Sequence, residues 1–158
     1  MRLFLFLFIA ASALAQRGTT DVRGTVGYTT FIDESSQHHL FTGASVRHYL
    51  LTRLSVEPEF LFLYRNSSDK DVGFQVNVAY DFARPGSKVV PYVIGGGGLL
   101  TTFFRFGGPA NFTSTEGMVS GGFGVKVYLN NRWFIAPEAR LGFEPIIRAT
   151  VSLGYSWR

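Results

Sequence analysis

The sequence predicts an all-β fold, an eight-stranded antiparallel up-and-down transmembrane β-barrel. Three observations carry that prediction: strict apolar/polar alternation in eight segments, tight turns that alternate with polar loops, and a composition poor in charge. Of 158 residues only 16% are charged and 46% are hydrophobic, with 18 glycines and 16 phenylalanines, whereas soluble domains carry about a quarter charged residues. The absence of cysteine excludes disulfides, thiolate catalysis and thiolate metal sites. A net charge of +4 is too small to argue for a nucleic-acid partner.

The elements follow in order. The opening "MRLFLFLFIAASALA", residues 1–15, joins one basic residue to a short apolar stretch and a small-x-small ending at Ala13 and Ala15. That pattern reads as a cleaved secretory signal peptide, which leaves a barrel domain over residues 16–158. No later segment offers eighteen apolar residues in a row, so no helical membrane span is expected.

Period-two patterning marks the strands, because successive side chains point to opposite faces. Thr19 to Phe31 turns Val22, Gly24, Val26 and Tyr28 one way and Arg23, Thr25, Gly27 and Thr29 the other. His39 to Leu50 sends out Leu40, Thr42, Ala44 and Val46, and Arg53 to Arg65 sends out Leu54, Val56, Pro58, Phe60, Phe62 and Tyr64. Val72 to Phe82 has the cleanest alternation, with Val72, Phe74, Val76, Val78, Tyr80 and Phe82 outward. Lys88 to Phe103 is expected to place Val90, Tyr92, Ile94 and Leu100 on the apolar side. Glu116 to Leu129, Arg132 to Glu144 and Ile147 to Trp157 complete the set. Pro58, Pro91 and Pro137 each lie a few residues into a strand, and a closed barrel has no edge to accommodate them, so bulges or missing ladder bonds are expected at that level.

Face chemistry separates the barrel from a soluble sandwich. Sandwiches and lipocalin-like barrels pack their apolar faces inward. Here the apolar face is aromatic and continuous, while the other collects Gly, Ser, Thr and charges of both signs, which suits a narrow lumen. "LLTR", "RPGSK" and "NNR" are tight turns, and "IDESSQHH", "NSSDKD" and "RFGGPANFTSTE" are longer loops. Outer-membrane barrels have short periplasmic turns and longer external loops.

An eight-stranded interior is just wide enough for side chains to fill. The inward charges are Arg23, Arg47, Lys126, Arg140 and Arg148 against Glu57, Glu59, Asp81, Glu138 and Glu144. This equal count predicts an ionic plug. Turn lengths place Arg47 across from Glu57, Glu144 across from Arg148, and Lys126 near Glu138. Tyr28, Tyr64, Tyr80, Tyr92, Trp133, Tyr155 and Trp157 fall toward strand ends, as an interfacial girdle would.

The whole expected mature chain resembles the eight-stranded outer-membrane barrel family of the outer-membrane protein A transmembrane domain and the opacity proteins. "PYVIGGGG" at 91–98, "GGFGVKVYL" at 121–129 and the last strand "ATVSLGYSW" carry the resemblance. It implies a bacterial outer-membrane location, and its final aromatic strand resembles a signal to the barrel-insertion machinery, here supplied by Tyr155 and Trp157.

No catalytic, cofactor or metal site is expected. The loop "DESSQHH" holds Ser, His and acids, but gives them no ordered frame for nucleophilic catalysis. "GGGG" lies within a strand and lacks the lysine of a phosphate loop. The expected role is structural or surface-interacting, with Phe104, Phe106 and Phe112 marking a candidate binding loop. The expected partners are outer-membrane lipid and lipopolysaccharide, and the barrel is expected as a monomer. A lipid-modifying enzyme, cutting or transferring acyl chains, and a small gated pore are the alternatives.

Overall fold

The computed structural model of the chain describes residues 18–31, 37–66, 69–84, 86–105, 111–143 and 146–157. The expected signal peptide lies outside them. Eight strands follow in order: β1 (Thr20–Phe31), β2 (Gln37–Tyr49), β3 (Leu54–Asn66), β4 (Asp69–Asp81), β5 (Val89–Arg105), β6 (Asn111–Tyr128), β7 (Trp133–Gly142) and β8 (Ile146–Trp157). Each pairs with its sequence neighbours, and β1 closes on β8 antiparallel, with Thr20 opposite Trp157 and Phe31 opposite Ile146.

The wall is inside-out relative to a soluble protein. Val22, Val26, Phe60, Phe74, Phe123, Leu141 and Val151 are exposed, while Arg23, Arg47, Glu57, Glu59 and Lys126 are buried. Only a lipid surround makes that arrangement favourable, since apolar surface is costly in water and a charged lumen must be internally paired.

The fifth strand has the opposite phase from the sequence expectation. Val90, Tyr92 and Ile94 are buried, and Val89, Val93 and Leu99 face outward. The run Val89 to Ile94 is apolar on both faces and the glycines that follow mark neither, so alternation could not fix the phase there.

Several strands also extend beyond the expected ends. β2 begins at Gln37, β4 at Asp69 and β6 at Asn111, and β5 continues to Arg105, whereas β7 stops at Gly142. Ladder pairing continues past the lipid-facing band, where polar residues replace the alternation that sequence reading relies on. The β5–β6 ribbon is the longest, and Thr101 and Thr115 share a hydrogen bond of 3.0 Å across it. β6 is paired to β7 only from Ser120 onward.

The prolines act more simply than bulges. The β2–β3 ladder breaks after Ser45↔Glu59 and resumes at His48↔Val56 in the same register, with Pro58 in the gap. The β6–β7 ladder likewise skips from Gly124↔Glu138 to Val127↔Ile135 around Pro137. A proline lacks one N–H, and a strand residue aims its N–H at one neighbour only. The opposite ladders, Pro58↔Val76 and Pro137↔Val151, therefore remain intact. Pro91 departs from the expectation: its ladder to β6 is unbroken, and its carbonyl accepts from the Phe82 N–H at 2.9 Å, just past the end of β4. Its missing donor thus falls where pairing already stops. A register shift occurs instead near the outer end of β3, between Tyr64 and Asn66.

Candidate functional site

The inward positions of all eight strands converge on a charged lumen. Nearest the turn end, Lys126 Nζ lies 3.2 Å from both Asp21 Oδ2 and Asp81 Oδ2. It also donates to the Tyr49 hydroxyl, which donates in turn to Asp81 Oδ2 at 2.7 Å. Ser156 Oγ completes this layer by donating to Asp21 Oδ1 at 2.5 Å.

Glu57 holds the middle layer. It accepts from Arg23 Nη1 at 3.1 and 3.2 Å, from Ser45 Oγ at 2.7 Å and from Arg47 Nε. Tyr92 ties that group to the next: its hydroxyl accepts from Arg23 Nη2 at 3.0 Å and donates to Glu138 Oε2 at 2.7 Å. The Arg47 guanidinium stacks 4.5 Å from the centre of the Tyr92 ring, a contact worth most where water is excluded.

Farther out, Glu59 accepts from Gln75 Nε2 at 2.5 Å and Asn77 Nδ2 at 3.1 Å, and pairs with Arg140 at 3.1 Å and Arg148 at 3.3 Å. Glu138 shares the same two arginines, with Arg140 Nε at 2.5 Å and Arg148 Nη2 at 3.8 Å. An apolar layer of Phe41, Leu61 and Leu63, with Leu100 and Met118 packed on it, lies above. Arg148 faces the Phe41 ring at 4.6 Å, so the boundary between charged and apolar layers is itself a packed contact. His39 Nε2 and Asp71 Oδ2 lie 3.9 Å apart toward the outer end.

Nine of the ten sequence-predicted lumen residues are therefore buried inward. Glu144 lies outside the described residues. Arg47 falls opposite Glu57 as expected, bracketed by Ser45↔Glu59 and His48↔Val56. Lys126 does not meet Glu138: Gly124 occupies that register position, and Lys126, two residues nearer the turn, reaches Asp21 and Asp81 instead. Arg148 stands opposite Arg140, two like charges held together by the carboxylates they share. Asp21, fully buried, was missed although it lies on the face of Arg23, two residues earlier. Counting it, Asp21, Glu57, Glu59, Asp81 and Glu138 face the five cations of the network.

The girdle expectation needs one correction. Tyr28 and Tyr64 face outward toward the loop end, and Tyr80, Trp133 and Trp157 do so toward the turn end, where Trp133 and Tyr155 rings meet edge-on at 5.2 Å. Tyr92, 1% exposed, belongs to the lumen. The binding-loop expectation shrinks as well. Phe104 and Phe112 are register partners in the β5–β6 ribbon, not loop residues, and Phe106 lies outside the described residues.

Among the described residues no cluster of His, Cys, Asp and Glu could hold a metal. Thr20 Oγ1 and His48 Nδ1 meet at 3.0 Å on the outer wall, but no carboxylate among the described residues joins them to complete a nucleophile-base-orienter set.

Solved structures with the same architecture share little sequence. The chain resembles Neisserial surface protein A (TM-score 0.71, 16% identity, 89% of this chain and 98% of that one). It is similar to the N-terminal β-barrel domain of Pseudomonas aeruginosa OprF (0.70, 15%, 89% and 98%). The attachment invasion locus protein Ail of Yersinia pestis aligns with a TM-score of 0.64 at 14% identity, over 89% of this chain and 99% of that one. No curated protein sequence matches the chain. Residues 2–147, however, match a family profile, nearly the whole length. The chain is an outer-membrane protein and belongs to the outer membrane protein beta-barrel domain family.

Proposed function

We propose that this chain is a structural, surface-interacting barrel of the bacterial outer membrane, without enzymatic activity, whose lumen is closed by the ionic network. The observation that carries this reading is continuity. Lys126, Asp81, Arg47, Glu57, Arg23, Glu138, Arg140, Glu59 and Arg148 form one chain of contacts at 3.9 Å or less. Side chains that fill an eight-stranded interior and neutralise one another in this way support a closed lumen, even though Arg47 Nη1 and Nη2 and Asp81 Oδ1 have no hydrogen-bond partner in it. The surface role is supported by the β5–β6 ribbon, whose β6 residues 111–118 have no β7 partner among the described residues, the last contact being the Phe143 N–H to the Val119 carbonyl at 2.9 Å. Unpaired strand edges accept further strands or ligands readily. On this reading residues 1–15 are a cleaved export signal, and β8, ending in the aromatic Trp157, is the segment taken up by the insertion machinery. The barrel is a monomer in contact with outer-membrane lipid and lipopolysaccharide.

Incubating refolded protein with acyl-labelled lipopolysaccharide tests the non-enzymatic part. The expected result is no label released or transferred over hours. Time-dependent release that scales with protein would establish the lipid-modifying alternative.

A further inference from the structure

The end of the barrel that carries the short turns has a charge pattern the lumen does not explain. Arg53, Arg84, Lys88 and Arg132 stand on the three turns at 50–53, 82–88 and 129–132. Among the described residues none of these four forms an ion pair. The carboxylates at this level, Asp21 and Asp81, are buried and committed to Lys126. The same turns expose Leu50, Leu51 and Leu129. Turn tips that combine bare cations with exposed leucines belong in a headgroup layer rather than in free water, because each residue type satisfies one side of that interface.

Two recesses on this rim have the composition of phosphate seats. One, of about 190 Å³, is lined by Arg132, Tyr155, Ser156 and Trp157. Its arginine is pre-positioned: the backbone N–H groups of Arg132 and Trp133 both donate to Asn130 Oδ1, at 2.9 and 2.8 Å, and Arg132 Nη1 donates to the Tyr155 hydroxyl at 2.9 Å. A guanidinium carries five N–H donors, so most remain for an incoming anion. The other recess, of about 140 Å³, is lined by Gly86, Ser87, Lys88, Tyr128, Asn130 and Asn131, again one cation among neutral hydrogen-bonding groups.

We propose that this rim binds the anionic phospholipid headgroups of the leaflet it lies in, with phosphate seats at Arg132 and Lys88. The proposal rests on the membrane-barrel reading and adds the leaflet and lipid class to it. The partner is a lipid rather than a soluble anion because each cation borders the lipid-facing wall: Arg132 precedes exposed Trp133, and Lys88 precedes exposed Val89.

The protein's only two tryptophans, Trp133 and Trp157, both lie on this rim, which makes their quenching by brominated lipid a local readout. In vesicles of phosphatidylcholine containing phosphatidylglycerol, brominated phosphatidylglycerol is expected to quench about fivefold more effectively per lipid than brominated phosphatidylcholine, the effect of roughly one well-placed basic residue. The preference should fall close to parity in the R132Q/K88Q variant and persist in K70Q, at the opposite end. Equal quenching by the two lipids, or an undiminished preference in R132Q/K88Q, in a sample with the fast-migrating folded band on an unheated gel overturns the headgroup site alone. Absence of the folded band overturns the barrel reading and the site with it.

Discussion

Glu57→Gln lowers the unfolding free energy by about 3–5 kcal/mol, the range for breaking a buried ion pair from one side. The side chain is 1% exposed and accepts from Arg23, Arg47 and Ser45. The substitution preserves shape, removes the charge and replaces one acceptor oxygen with an NH2 group that Arg23 and Arg47 cannot donate to. Arg47 is then left with Asp81 at 3.9 Å as its ion-pair partner, and Arg23 with Glu138 at 3.7 Å. Urea unfolding in lipid vesicles, followed by tryptophan fluorescence, should show a lower midpoint at unchanged slope. The double variant Arg47→Leu with Glu57→Leu should lose less than Glu57→Gln, because removing both partners keeps the lumen neutral. A loss below about 1 kcal/mol for Glu57→Gln would mean that the network contributes little to stability.

Gly122→Val should prevent the barrel from closing, or cost about 3 kcal/mol, the upper part of the usual overpacking range. A Cβ at Gly122 would sit 2.7 Å from Arg140 Cα and strike the Ala139 carbonyl of β7. Gly98 is in the same position against β4, where a Cβ would lie 2.7 Å from Gln75 Cβ and strike the Phe74 carbonyl. These atoms are backbone or fixed to it, so no rotamer change relieves the clash. The outward glycines differ. At Gly95 and Gly121 the nearest atom to a Cβ is a carbonyl oxygen at 3.7 Å, so Gly121→Ala should stay within about 0.5 kcal/mol of the parent. The folded fraction on an unheated gel compares the two directly. Equal tolerance of Gly122→Val and Gly121→Ala would contradict the inward packing.

These two sets of residues differ in how far the sequence revealed them. Glu57 and Glu59 stand two apart among Phe60, Leu61 and Phe62, and parity alone puts them on one face, opposite the lipid. The strand count, the outward faces of seven strands and the inward position of the charges were legible for the same reason: lipid on one side and a polar lumen on the other impose period two. The glycine run was not legible in this way. A residue without a side chain carries no face, so Gly95 to Gly98 pass no phase from Ile94 to Leu99, and the place of Tyr92 near a strand end suggests the girdle although its hydroxyl bridges Arg23 and Glu138. Partner choice was also beyond parity. Lys126 reaches Asp21 and Asp81 across the lumen, from strands distant in sequence, and only the curvature of the closed barrel decides which inward groups meet. The apolar layer of Phe41, Leu61 and Leu63 went unread because its residues match the lipid face in chemistry and differ from it only in phase.

On the proposed reading paired charges close the lumen, and ion conductance across a planar bilayer tests this most directly. With purified protein inserted from detergent, the parent should hold a flat baseline at moderate voltage, with at most rare and brief openings. Glu57→Gln, which loosens the middle layer, should raise the frequency of such openings. Steady large-conductance openings in the parent protein would contradict a closed ionic lumen.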